Sequence, residues 1–214
     1  LFDVFTLPHL KNRGRVTDKF LQERQFNYDS ELVEQCPDDI SLYGYFQTER
    51  YFTDIADSIK EDFTFKKDVI ANCEEVMEEL SEPIALHVRR TDYVEKSQDH
   101  PPCSLKYYHN ALKRFNEKRP VIIFTDDTKW CKEQDIFKPD RFLVSETDNN
   151  VYDLCMMTMC TDYIIANSSF SWWGAWLSQN PDPEVIAPKT WFGSTGYTAK
   201  NNTADIVPKR WTQI

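Results

Sequence analysis

From Ile84 onward short apolar runs alternate with longer amphipathic stretches, and this alternation limits the fold more than any other feature of the chain. Five apolar runs stand out, at 84–88, 121–125, 141–144, 163–166 and 184–187. Between them lie four stretches of helical period, 104–117, 128–137, 151–160 and 169–179. In the first of these Leu105, Tyr108, Leu112 and Phe115 recur every three or four residues and mark one buried face. Strands apolar on both faces, joined by helices apolar on one, are what a parallel sheet covered on both sides requires. The pattern predicts an α/β domain over 84–214.

Residues 1–83 lack the alternation. Stretches 54–62 and 66–80 read as acidic helices, and Ser41-Leu42-Tyr43-Gly44-Tyr45-Phe46-Gln47 as a short strand or a turn at a cleft edge. This region is expected to be smaller and partly helical, with its boundary near Glu82-Pro83. The formal net charge of -10 argues against a nucleic-acid or anionic-membrane surface, so any bound anion has to be small and held by a local basic spot. No apolar run approaches the roughly 18 residues of a membrane span, and the chain as given reads as soluble. Cys36, Cys73, Cys103, Cys131, Cys155 and Cys160 are scattered without a CxxC, which suggests buried or incidental thiols rather than a disulfide framework or zinc site.

Ligands of an open parallel sheet bind beyond the carboxyl ends of its strands, and the polar clusters of this chain fall there. The first strand runs out through His87 into Arg89, Arg90, Thr91 and Asp92. Two guanidinium groups at one strand end suit a diphosphate, which each grips by parallel hydrogen bonds; the plain alternative is a surface ion pair with Asp92. The second strand ends in Asp126 and Asp127, carboxylates fit for ribose hydroxyls or a base, or for capping the helix from Thr128. The fourth leads into Asn167, Ser168 and Ser169, where a helix N-terminus offers amides to a phosphate or the serines simply cap it. His87 is expected as a structural histidine or one touching a nucleotide, not a proton shuttle. The adjacent aspartates raise a divalent metal, but no third oxygen ligand stands at useful spacing, and no metal site is expected. Trp172, Trp173 and Trp176 lie on a helix apolar almost all round and read mostly as core.

These residues carry a resemblance. HVRRTDY at 87–93, FTDD at 124–127 and IIANSSFSWWGAWL at 164–177 resemble three motifs of the alpha-1,2-fucosyltransferases of glycosyltransferase family 11. LYGYFQTERYF at 42–52, VIAPKTWF at 185–192 and DIVPKRW at 205–211 extend the likeness over roughly residues 40–211. The resemblance implies a GT-B-like fold, with a Rossmann-type nucleotide-sugar domain over 84–214 and an incomplete acceptor-side region over 1–83. It implies inverting, metal-independent transfer of L-fucose from GDP-fucose to a galactose hydroxyl in alpha-1,2 linkage, with GDP-fucose as a substrate and no cofactor. Carried over, Arg89 is the main ligand of the donor's β-phosphate and Asp92 braces it, so these two carry catalysis. Arg90 is secondary, His87 and Asp126 or Asp127 face the nucleoside, and Ser168, Ser169 and Phe170, with Asn167 before them, close over the diphosphate.

Two departures accompany the likeness. Thr91 stands where the family usually has glycine, and nothing like the glycine- and asparagine-rich loop (GGLGNQ-like) that opens the family's N-terminal domain is read here, so Leu1-Phe2-Asp3 is expected to start downstream of it, in a fragment or short form, or else the acceptor side is built differently. A general base is unassigned, Glu95 being near in sequence. The implied partners are a nucleotide-sugar donor and a glycan acceptor, with no nucleic acid; membrane association is left to parts outside this chain, and the oligomeric state is unread. A bacterial or viral source implies the cytoplasm, an animal source the lumenal face of the Golgi membrane. Two other functions stay open: a non-catalytic nucleotide-sugar or glycan-binding module, and a transferase using a different nucleotide-sugar donor.

Overall fold

The computed structural model describes residues 4–9 and 17–214, without the Tyr197 side chain. Leu1-Phe2-Asp3, on which the expected start of the chain rests, lie outside the described residues. Backbone contacts gather the chain into two units, Leu1–Thr64 with Lys200–Arg210, and Phe65–Ala199 with Trp211–Ile214. The boundary expected between residues 83 and 84 therefore falls inside the second unit, because the preceding helix packs on the sheet domain and residues 200–210 return to the first unit.

The first unit contains β1 (Phe20–Gln22), α1 (Ser30–Glu34), β2 (Ser41–Tyr43) and α2 (Ala56–Asp62). β1 and β2 pair in parallel with Phe20 opposite Ser41. The buried carboxylate of Glu23 accepts the Tyr45 and Phe46 amides at 2.8 and 3.1 Å and so holds the turn that leaves β2. Asp205 accepts the Tyr28 amide and the Arg50 guanidinium, and Arg210 pairs with Glu49 at 2.6 Å, which secures the returning segment.

The second unit begins with α3 (Lys67–Met77) and continues through β3 (Ile84–Val88), α4 (Thr91–Glu95), α5 (Leu105–Leu112), β4 (Val121–Thr125), α6 (Thr128–Glu133), β5 (Phe142–Val144) and α7 (Asn150–Met159). It ends with β6 (Asp162–Ile164), α8 (Ser169–Trp176), β7 (Val185–Ala187) and β8 (Thr212–Gln213). The six strands form one parallel sheet in the order β5-β4-β3-β6-β7-β8. The five expected strands are present, β3 and β4 at the expected residues and β5, β6 and β7 with shifted ends, and the sixth, β8, is an edge strand of two polar residues that carries no apolar signal.

Strand β3 lies at the centre and is buried along its whole length, as its apolar character, broken only by His87, requires. Ile84, Leu86 and Val88 pack with Tyr107, Tyr108, Ala111 and Leu112 of α5. His87, on the opposite face of the strand, meets Phe170 of α8 at a ring separation of 5.5 Å. α7 packs against both α3 and α8. The chain moves outward from β3 to β4 and β5, then returns through α7 to place β6 on the other side of β3, so the winding reverses between β3 and β6. The β3–β6 ladder ends at Leu86 opposite Ile164, and near that end two tyrosines of α5 bond to carbonyls of the sheet and its exits. The Tyr108 hydroxyl donates to His87 O at 3.1 Å, and that of Tyr107 lies 2.6 Å from Ile165 O and 3.0 Å from Ile186 O. The two tyrosines thus tie α5 to the ends of β3, β6 and β7 beside the reversal point, where the ligand crevice of such sheets lies. All six cysteines are unpaired, and only Cys36 is exposed.

Candidate functional site

The crevice edge is built from three strand exits. β4 pairs with β3 so that Thr125 lies opposite Val88, and the residues that follow each, Asp126 and Arg89, meet across the gap. Arg89 Nη1 stands 3.2 Å from Asp126 Oδ2, and its Nη2 stands 2.6 Å from Asp92 Oδ1. Asp92 Oδ1 meets that cation by charge, without the geometry of a hydrogen bond. Asp126 Oδ1 accepts the Arg90 amide at 2.8 Å and Oδ2 accepts the Thr91 amide at 3.1 Å and the Thr91 hydroxyl. A carboxylate from β4 thus caps α4, a five-residue helix with no cap of its own. That cap explains why α4 could not be read from local sequence.

Arg90 turns away from Arg89. Its Nε donates to Asp127 Oδ2 at 3.3 Å and its guanidinium lies 3.9 Å over the Trp130 ring. Asp127 also caps α6 by accepting the Trp130 amide at 3.1 Å. Of the readings offered for the aspartates, capping of the helix from Thr128 is taken by Asp127, while Asp126 organises the arginine turn, a role the sequence did not suggest. Two guanidinium groups and three carboxylates share this edge.

His87 is buried and its Nδ1 has no hydrogen-bond partner. Burial pushes its imidazole down to about 4; the negative Asp126 opposes that shift and the positive Arg89 adds to it. At neutral pH the ring is uncharged, with one nitrogen unused. Burial also pushes the Tyr93 phenol upward, and its hydroxyl donates to the Asn167 carbonyl at 3.0 Å, joining the exits of β3 and β6.

The third exit separates its residues by task. Asn167, expected in the segment that closes over the diphosphate, gives its side chain to the scaffold: its Nδ2 donates to Pro101 O at 3.1 Å and Trp191 O at 2.9 Å, and Cys103 Sγ lies 3.6 Å from its Oδ1. Its side chain is 1% exposed, so both amide protons serve the scaffold. The Ser168 hydroxyl accepts the Phe170 amide at 3.3 Å as the N-cap of α8. Ser169, the first residue of α8, is exposed, and Phe170 is half-buried against His87. Trp172 and Trp176 are core, stacked at 6.2 Å, and Trp173 is partly exposed. Glu95 is exposed on α4.

One polar residue at the same edge escaped sequence reasoning. Asp153, in the first turn of α7, is buried and accepts the Ser145 and Thr147 hydroxyls at 2.6 and 2.7 Å beyond the end of β5. Burial pushes its carboxyl upward while the two hydroxyls pull it back. Its signal in the sequence is faint, a lone acid in an apolar helical stretch.

The family model of Glycosyl transferase family 11 matches residues 18–214. The O-antigen biosynthesis glycosyltransferase WbnK of Escherichia coli is 30% identical over 187 residues, which cover 81% of this chain and 60% of that protein. An alpha-1,2-colitosyltransferase of Escherichia coli is 30% identical over 198 residues, covering 87% of this chain and 67% of the relative. Galactoside alpha-(1,2)-fucosyltransferase 1 of Bos taurus is 23% identical over 157 residues, covering 65% and 44% respectively. The chain therefore spans from less than half to two thirds of the length of these relatives.

Proposed function

The chain belongs to glycosyl transferase family 11, and from that premise we propose that it transfers L-fucose from GDP-fucose to a galactose hydroxyl in alpha-1,2 linkage, with inversion and without a metal. The observations that carry the reading are the Arg89–Asp126 pair, which joins the exits of β3 and β4, and the Tyr93–Asn167 bond and His87–Phe170 ring contact, which join the β3 exit to the segment leading into α8, where the sheet reverses its winding. Ligands of open parallel sheets bind at such a point, and here a cation, Arg89, follows β3 and a helix N-terminus follows β6. Arg89 has five N–H donors, of which its two carboxylate neighbours engage part. The rest are free to take the β-phosphate. Asp92 and Asp126 hold the cation in place, and Ser169 with the α8 amides completes the anion cradle.

The chemistry follows from where charge appears. As the bond between the sugar C1 and the phosphate oxygen breaks, negative charge grows on GDP, and donors already aimed at that oxygen strengthen their hold without reorganising. The neutral His87 is enclosed against Phe170, so its part on the nucleoside side is to support that ring. Because the local carboxylates outnumber the guanidiniums, the amides and hydroxyls of α8 carry a substantial share of the diphosphate's charge.

A different donor sugar is the second reading, favoured by the 30% identity to an alpha-1,2-colitosyltransferase. Incubating the chain with a β-galactoside and GDP-fucose, then with GDP-colitose and a UDP-sugar, and measuring release of the nucleotide decides between them. Release with GDP-fucose alone supports the first reading. Release with GDP-colitose alone supports the second, and release from the UDP-sugar alone removes both.

A further inference from the structure

We infer that Tyr93 and His100 are positioning residues, a ring stack that sets the plane of the Arg89 guanidinium and is itself seated on the loop after β7. The inference deepens the donor-site reading and rests on it for its effect on function.

Arg89 has flexible torsions, and its carboxylate neighbours fix its charge more firmly than its plane. Bidentate phosphate recognition needs the plane. The Tyr93 ring supplies it, with the Arg89 guanidinium 5.5 Å over its face. Tyr93 is in turn held at both ends: its hydroxyl donates to Asn167 O at 3.0 Å, and its ring stacks on His100 at 4.9 Å and 24°. The edge of His100 meets Phe192 at 5.3 Å. His100 Nδ1 is buried with no hydrogen-bond partner, so on that side its ring is held by its faces rather than by its nitrogen.

The base of the stack is clamped. The Gly193 amide donates to Asp99 O at 2.8 Å, the Gly196 amide to Gln98 O at 3.2 Å, and the Thr198 amide to Asp99 Oδ1 at 3.0 Å. A Cβ at Gly193 would fall 1.8 Å from Gln98 O, and one at Gly196 would fall 2.1 Å from Asp99 Oδ1. Both glycines are thus required for the loop to sit this close. The order of contacts runs from the loop after β7, through Phe192 and His100, to Tyr93 and the arginine.

The test compares the full chain with His100→Ala, His100→Leu and His100→Phe. GDP affinity is read by calorimetry, donor KM and kcat by nucleotide release, and the Arg89 side chain by its Nε–H resonance, assigned through its loss in Arg89→Ala. Alanine and leucine should each weaken GDP binding and raise the donor KM about tenfold, the size expected for one lost stacking and cation–π arrangement. Acceptor KM and the thermal midpoint should stay the same, the Arg89 resonance should move, and phenylalanine should restore every value. Leucine keeps the packing volume, so the comparison stands even if alanine fails to fold. Unchanged GDP affinity and an unmoved resonance in the leucine variant would overturn the inference, as would a phenylalanine variant that restores nothing. If the parent chain binds no GDP, the donor reading falls separately. The resonance then decides the stack alone, its movement in the leucine variant supporting it and its constancy overturning it.

Discussion

Arg89 and His87 show how one strand end gives two residues opposite electrostatic lives. Arg89 sits at the rim, where its ion pairs are partly solvated and worth about 0–1 kcal/mol to the fold. Replacing it with alanine should therefore leave the unfolding midpoint nearly unchanged while weakening GDP binding at least about tenfold, since a charge-assisted contact is lost. Calorimetry paired with thermal unfolding checks both halves. Lysine should fail to restore binding, because a point charge lacks the planar fork. His87 is enclosed two residues earlier, and its cost appears in acid. The unfolded chain protonates this residue near 6.5, whereas the folded chain holds it neutral to about 4. Its contribution is intact above pH 6.5 and is lost as the pH falls towards 4, by on the order of 3 kcal/mol. Urea unfolding of the parent chain and of His87→Gln between pH 7.5 and 4.5 should show a shallower acid decline in the variant; parallel curves would contradict the burial argument. At this scale the sequence identified which residues gather at the edge but not how each is spent. Asn167 looked like a ligand residue, and only its contacts with Pro101 and Trp191 show that its amide is used up.

Helix α8 illustrates what element-level patterning can and cannot reveal. Its apolar character predicts burial on more than one side, and it does bury Trp172, Gly174, Ala175 and Trp176. The closeness of α7 is another matter. A Cβ on Gly174 would stand 3.1 Å from Met157 Cβ and 3.2 Å from its sulfur, so the glycine sets how near the two helices lie. Gly174→Val should destabilise the protein by about 2 kcal/mol through overpacking, lowering the urea midpoint with little change in slope. Helices α3, α5, α6 and α7 follow the expected positions but stop earlier, whereas α2 ends at Asp62 as expected and α1 was not foreseen. α6 ends where Gln134 turns extended at φ -83° and ψ 125°, and a short 3-10 turn, Asp135–Phe137, completes the stretch that read as one helix. α4 was invisible because five mostly polar residues have no period to show and their cap comes from Asp126, just beyond the end of β4.

For the whole molecule, the last four residues matter more than their number suggests. β8 and Trp211 belong to the sheet unit although residues 200–210 before them belong to the other. Trp211 is buried with its ring 5.5 Å from Trp172, and the Ile214 amide donates to Ala187 O at 3.1 Å. Deleting 211–214 should cost about 3–5 kcal/mol, the range for removing a buried tryptophan, and should leave β7 as an open edge. Thermal unfolding and light scattering would register this as a lower midpoint with more aggregation. Among the described residues no helix is long and apolar enough to cross a membrane.

The sequence by itself determined the class of the sheet domain, the place of five of its six strands, and the edge where its polar residues collect. Each follows from local burial, which apolar period records directly. Tertiary structure alone decided the strand order that puts β6 beside β3, the division of the chain near Thr64, and the commitment of Asp126, Asp127 and Asn167 to capping and bracing. Those depend on which strand ends become neighbours, and residues far apart in sequence carry no periodic mark of the partner they will meet.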